Sequence, residues 1–136
     1  MGWNIKKRCA MNEIEILIDT NVVIYAMEAH PAVKGLSLCF PAISIISEIE
    51  LLGKKGISTQ EAADIRTLLK GFPVISINDE IKEAAISLKQ KYSIKTPDAI
   101  IAATAQSLSL TFITADKGFA NIKEIDAIII DLQNKQ

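Results

Sequence analysis

Short apolar runs alternate with stretches of helical periodicity along most of the chain. Ile14–Ile18 (IEILI) alternates, is largely apolar and ends at Asp19, which predicts a strand. Thr20 to Met27 then reads as a short helix. Pro41–Ser44 (PAIS) predicts a second strand, followed by a helical stretch from Ser47 to Lys55 in which Ile46, Ile49 and Leu52 mark the expected buried side. Ser58 opens a capping box with Glu61 three residues on, so a helix runs from there to about Leu69 and stops at Gly71. Pro73–Ile77 (PVISI) is a third strand. Asn78 caps the next helix, which carries Asp79 and Glu80 in its first turn, where the helix dipole favours anions, and reaches about Lys91. Thr96 as N-cap and Pro97 at the first helical position start another helix, Asp98 to Leu108. It is small and apolar almost all round, which marks it as central and buried. Thr111–Thr114 (TFIT) and Ala127–Asp131 (AIIID) are the fourth and fifth strands.

Apolar strands alternating with helices define an α/β domain whose small parallel sheet is covered on both faces. Such sheets take their ligands just outside the carboxyl ends of the strands, where the strand order reverses. The 136 residues suit one domain, expected over 12–133. Residues 1–11 match no element and read as an N-terminal extension or as the product of an alternative start, with Met11 as the second candidate Met. Hydrophobic residues at 49% and charged residues at 23%, with 6 Gly and 4 Pro, exclude a disordered or collagen-like chain. Two cysteines, Cys9 and Cys39, are too few for a disulfide framework and suggest a reducing, cytoplasmic setting. No run approaches a membrane span, and Glu13 and Glu15 interrupt the stretch after Lys6, Lys7 and Arg8 that a secretory signal needs apolar. A net charge of −1 gives no bulk attraction to nucleic acid, and aromatics at 5% argue against a base-stacking platform.

The acids that follow the strands change that picture. Asp19 lies directly after the first strand and Asp116 just after the fourth; Glu48 and Glu50 lie on the helix after the second, and Asp98 in the first turn of the buried helix. Each has a plain structural explanation as a turn residue or a helix-end charge. Together they do not. Two carboxylates ~5 Å apart repel by ~3 kcal/mol at an effective dielectric of ~20, so four in one pocket require a cation. No histidine or cysteine cluster accompanies them; the sole His, His30, precedes Pro31 in a loop and reads as a surface residue. An all-oxygen site suits Mg²⁺ or Mn²⁺ and not Zn²⁺. Residues two apart on a helix point ~200° apart, so Glu48 and Glu50 cannot both face the pocket, and periodicity leaves the choice between them open.

These phrases together resemble a PIN domain, and within that family the VapC-like toxins of type II toxin–antitoxin pairs. The resemblance runs from Glu13 to Leu132 and is carried by Leu17-Ile18-Asp19-Thr20-Asn21, by Ile43 through Gly53 (ISIISEIELLG), by Thr96 through Ala105 (TPDAIIAATA) and by Phe112 through Phe119 (FITADKGF). It implies a three-layer α/β/α fold with strand order 3-2-1-4-5, which places the first and fourth strands side by side. The family's acid sits six residues after the Ser that ends the second strand and precedes a Leu; Ser44 puts it at Glu50, before Leu51, although Gly53 falls one residue earlier than in many members. The implied activity is cleavage of single-stranded or loop RNA, such as a transfer-RNA or ribosomal-RNA loop, dependent on one or two Mg²⁺ or Mn²⁺ ions held among Asp19, Glu50, Asp98 and Asp116. A cognate VapB-like antitoxin and a homodimer are the implied partners.

Asn21 and Thr114 are polar neighbours of the acids and read equally as supports for them or as helix-cap and strand-end residues. Lys54, Lys55 and Lys117 are candidate contacts for RNA phosphates, against the plainer reading of Lys54-Lys55 as a favourable helix end. Two other functions compete. A catalytically inactive PIN-like binding module predicts a missing acid, and all four are present. A Mg²⁺-dependent phosphatase using Asp19 as nucleophile predicts a second Asp two residues later, where this chain has Asn21.

Overall fold

The protein is described here by a computed structural model covering residues 15–29, 31–33 and 41–131. In chain order these form β1 (Ile16–Ile18), α1 (Thr20–Met27), a 3₁₀ turn (Pro31–Val33), β2 (Ile43–Ser44), α2 (Ile45–Leu52), α3 (Thr59–Leu69), β3 (Val74–Ile75), α4 (Asp79–Lys91), α5 (Thr96–Leu108), β4 (Thr111–Thr114), a second 3₁₀ turn (Lys117–Asn121) and β5 (Asp126–Ile129). The expected domain ends at 12 and 133, the segment 1–11, both cysteines and His30 lie outside the described residues.

Most helix starts follow from short polar side chains that satisfy the first free N–H groups. Ser58 Oγ accepts from Glu61 N at 3.0 Å to open α3, and Asn78 Oδ1 accepts from Ile81 N at 2.8 Å to open α4. Ser44 Oγ accepts from Ile46 N at 3.0 Å, so α2 begins two residues before the expected Ser47. It also stops before Lys55, at Gly53, whose N–H bonds Ile49 O at 2.7 Å. A Cβ at Gly53 would stand 2.6 Å from that same carbonyl oxygen, so glycine is required there by close approach. One expectation fails at α5. Lys95, not Thr96, is the N-cap residue and makes no side-chain cap bond; Thr96 is already helical. Pro97 in the first turn has no N–H, which leaves one donor fewer for a cap to satisfy.

The sheet is parallel throughout. β4 lies between β1 and β5, with Leu17 opposite Phe112 and Phe112 opposite Ala127. β2 pairs with β3, Ile43 opposite Val74. The two ladders meet at one bridge, Leu17 with Ala42, made by Ile18 N to Ala42 O at 3.0 Å and Ala42 N to Ile16 O at 2.9 Å. Across that bridge the strands run 3-2-1-4-5, as two joined ladders and not one continuous five-stranded sheet. β2 spans only two residues because Ser44 is already committed to capping α2.

Alternation of side chains along the strands splits the core in two. Leu17, Ala42 and Phe112 point to one face, where they pack with Ile81 and Leu88 of α4 and Ala99, Ala102 and Ala103 of α5. Ile16, Ile18, Ile43 and Ile113 point to the other, with Val22 and Val23 of α1, Leu51 of α2 and Ile65 and Leu69 of α3. Helices therefore cover both faces, giving the expected three layers. α5 is as buried as its composition predicts, and its small side chains let it lie close to the sheet. Phe112 is fully buried on the central strand and meets Phe119 edge-on, ring centroids 4.9 Å apart. Phe112→Ala is expected to destabilise the fold by about 3–5 kcal/mol in a denaturant titration. A loss below about 1 kcal/mol, the range of surface substitutions, would contradict this account of the core.

Candidate active site

β1 and β4 pair so that Ile18 lies opposite Ile113, and both chains leave the sheet at the same edge. Asp19 follows β1 and Asp116 stands two residues beyond β4, so the pairing brings both to one place. Asp19 is only 8% exposed. Its Oδ1 accepts from Thr20 N at 2.8 Å, which caps α1, and its Oδ2 accepts from the buried Thr114 hydroxyl at 2.7 Å. The cap of α1 is thus Asp19 and not Asn21, which sits exposed in the first turn. Thr114 Oγ1 in turn accepts from Asp116 N at 3.0 Å, and Asp116 Oδ1 accepts from Gly118 N at 2.8 Å. Thr114 therefore serves both as strand-end partner and as support for Asp19.

α2 supplies the third acid. Thr20 Oγ1 stands 2.6 Å from Glu50 Oε1 and 2.9 Å from Ser47 Oγ. A threonine hydroxyl has one proton. The carboxylate can only accept, so Thr20 donates to Glu50 and Ser47 donates to Thr20. Ser47 is fully buried and fixes the relay from beneath. Glu50, held next to Asp19's own neighbour, is the glutamate that reaches the acids. The expected buried side of this helix is wrong. Ser47 and Leu51 face inward, while Ile49 is 59% exposed. The polar Ser47 takes an inward position because Thr20 gives it a partner there, which an apolar-periodicity reading cannot foresee. Thr20 and Ser47 were not among the residues the sequence singled out; a hydroxyl beside each acid-bearing strand end was the only available signal.

Asp98 lies in the first turn of α5, half-buried. Its carboxyl is pushed above the ordinary aspartate value, first by burial, then by the negative charges of Asp19, Asp116 and Glu50, with Lys95 opposing. Asp19 is also raised, mainly by burial, although Thr114 and Thr20 pull it back; Glu50 and Asp116 again push it up. Glu50 and Asp116 are therefore near enough to both Asp19 and Asp98 to disfavour their charge, and Glu48 is not among the main causes of either shift. Among the described residues no three His, Cys, Asp or Glu side chains stand close enough to grip an ion as they are. The carboxylates of Asp19 and Asp116 accept from protein donors, Thr20 N, Thr114 Oγ1 and Gly118 N. The donor set is all oxygen and concentrates negative charge about Asp19 and Asp98, which fits a hard divalent cation.

Of the three lysines, Lys117 stands beside Asp116 at a groove that opens from the acids. Lys54 Nζ instead lies 3.5 Å from Glu61 Oε2 at the start of α3, both side chains exposed, and Lys55 is exposed in the turn after α2.

The fold and this edge are those of a known family. A family model for the PIN domain matches residues 16–125, and the chain belongs to that family. The class so defined is a PIN-type nuclease. The chain is 35% identical to a protein of a toxin–antitoxin complex from Klebsiella pneumoniae, over 81% of this chain and 94% of that one, with a TM-score of 0.69. It is 28% identical to a chain of VapBC-1 from nontypeable Haemophilus influenzae, over 84% and 96%, TM-score 0.70. With a chain of VapBC2 from Rickettsia felis, bound to a promoter DNA fragment, it shares 25% identity over 85% and 98%, TM-score 0.71. No match was found among curated proteins.

An acid with a raised folded-state pKa binds its proton more tightly folded than unfolded. It favours the fold at low pH and costs stability as pH rises through that value. Asp98→Asn is therefore expected to raise the melting temperature of the metal-free protein at pH 7, and to give no gain near pH ~3, where the carboxyl is largely protonated in both states. A lower melting temperature at pH 7 would mean that Asp98 is stabilised by its surroundings and does not feel the other acids.

Proposed function

We propose that the chain is a divalent-metal-dependent endoribonuclease and the toxin of a VapBC-type toxin–antitoxin pair. The observation that carries this reading is the gathering of Asp19, Glu50, Asp98 and Asp116 at one sheet edge, where Asp98 feels the charge of the other three. Asp19 and Asp98 would hold Mg²⁺ or Mn²⁺ directly, one or two ions, with Glu50 and Asp116 contributing through water or orienting the attacking water. A divalent ion held there would supply a more acidic water and charge neutralisation at the scissile phosphate. The chain's own part is positional. Thr114 and the Thr20 N–H hold the Asp19 carboxylate, the Ser47–Thr20 relay holds Glu50, and the Gly118 N–H holds Asp116. Attack by an external water leaves a 5′-phosphate and a 3′-hydroxyl.

The substrate is an unpaired RNA loop, of transfer or ribosomal RNA. The similarity to a protein of a toxin–antitoxin complex and to chains of VapBC-1 and VapBC2 supports a VapB-like antitoxin as partner. A homodimer and a cytoplasmic location complete the reading; no helix among the described residues is long and apolar enough to cross a membrane. A catalytically inactive module would have lost an acid, and a phosphatase would carry an acid at position 21; neither holds for this chain.

The test is cleavage of total RNA with Mg²⁺ or Mn²⁺. Asp98→Asn is expected to abolish it while the chain stays folded. Glu50→Gln should lower the rate by about 10²-fold or more, the scale on which a positioned acid–base group acts, and Glu48→Gln should leave it near wild type. The reverse order for the two glutamates would remove Glu50 from the site. Expression of the wild-type chain alone should arrest growth and co-expression of a short neighbouring gene should restore it; an active nuclease that leaves growth unaffected would replace the toxin role with RNA processing.

A further inference from the structure

A groove of about 990 Å³ leads away from the acids. Asp116, in its lining, belongs to the cluster; Asn21 and Tyr25, one turn apart on α1, also line it, as do Ile129, Ile130 and the exposed Asp131 at and just beyond the end of β5. Lys117 stands at the same rim. Three chemistries meet here. Tyr25 offers an aromatic ring, half-buried and packed against the core beneath it, so its orientation is fixed before any ligand arrives. Asn21 presents an exposed amide with both a donor and an acceptor. Lys117 supplies an exposed cation directly beside an otherwise acidic centre.

We infer that this groove is a subsite for the base of the unpaired nucleotide next to the scissile phosphate. The base stacks on Tyr25 against the isoleucine wall, Asn21 reads its hydrogen-bonding edge, and Lys117 takes the following phosphate. The inference rests on the ribonuclease reading and deepens it. A scissile phosphate at the acids leaves its neighbouring nucleotide at the mouth of the groove, because Asp116 is common to both. The groove's ring, amide, isoleucines and lysine match a nucleotide, whose parts are a flat ring with polar edges and one charged phosphate; the Asp131 carboxylate in the same lining disfavours that phosphate away from Lys117. A base still paired in a duplex has its ring faces covered by its neighbours and cannot enter such a slot, so the subsite selects unpaired RNA. One ring serves one base, which is consistent with a chain so poor in aromatics.

The experiment uses short unpaired RNAs carrying a single 2-aminopurine at successive positions, mixed with the full chain in Ca²⁺, with fluorescence and anisotropy read together. At one position the wild type should quench the 2-aminopurine. Tyr25→Leu should abolish the quenching and weaken binding about 5- to 150-fold, the range that base–aromatic stacking supplies, and Tyr25→Phe should restore both, since the ring and not the hydroxyl is required. Lys117→Gln should flatten the dependence of log Kd on log salt by about 0.7, the loss of one phosphate contact on a single strand. Quenching and affinity unchanged in Tyr25→Leu would overturn the subsite and leave the nuclease standing, provided the wild type still cleaves RNA in Mg²⁺. A wild type that neither binds nor cleaves any of the RNAs would overturn both. RNA binding that survives Tyr25→Leu and Lys117→Gln while the co-expressed antitoxin no longer co-purifies would assign the groove to the protein partner and overturn the inference.

Discussion

The parallel pairing of β1 with β4 is the constraint on which the site depends. It joins residues far apart in the chain, and the bond from Thr114 to Asp19 spans 95 positions. With Ile18 opposite Ile113, the next residue of one strand and the turn after the other must emerge together. Everything else in the centre is arranged around that edge. α1 starts on the Asp19 carboxylate, α2 leans its Ser47 and Glu50 onto Thr20, and α5 brings Asp98 up from the opposite layer. Both core clusters meet at these two strands, since Leu17 and Phe112 serve one and Ile16, Ile18 and Ile113 the other. A register slip of one residue would exchange the two faces and disperse the acids at the same time.

Charge acquires a local meaning from this geometry. The chain as a whole is nearly neutral, with 15 basic and 16 acidic residues, and bulk attraction to a polyanion is absent. Four of those acids nevertheless share one edge, and two of them carry carboxyls raised above their ordinary values. Negative charge is therefore concentrated at that edge and not spread over the surface, and Lys117 places one exposed cation beside it. On the proposed function, a cation held there would offset that charge where a phosphate has to approach.

Much of this was readable before the structure because the controlling signals are local. The caps at Ser58 and Asn78, the apolar α5 and the strand at Thr111–Thr114 follow from near-neighbour chemistry, and the structure places all of them as the sequence predicts. Asp19, Asp98 and Asp116 were also legible, since each follows a recognisable start or stop signal. The glutamate was not. Periodicity pointed to Ile46, Ile49 and Leu52 as the inward side of α2, yet Ser47 and Leu51 are inward, and the family resemblance, not the pattern, favoured Glu50. The reason is a tertiary hydrogen bond. Thr20 provides Ser47 with a partner, which makes a polar inward position affordable, rotates the stripe and aims Glu50 at the site. A sequence pattern records burial preference residue by residue and carries no trace of a partner 27 positions away. The same holds for the break between the two ladders, which follows from Ser44 serving strand and helix at once.

The central claim is that these four carboxylates form one cation site. Titration of the metal-free protein with Mn²⁺, followed by the paramagnetic resonance signal of the free ion, tests it without recourse to any substrate. The wild type should remove one or two ions per chain from solution. Asp19→Asn and Asp98→Asn should each abolish the tighter binding, Glu50→Gln and Asp116→Asn should weaken it, and Glu48→Gln should leave it intact. Binding that is equal in all five variants and the wild type would contradict the account.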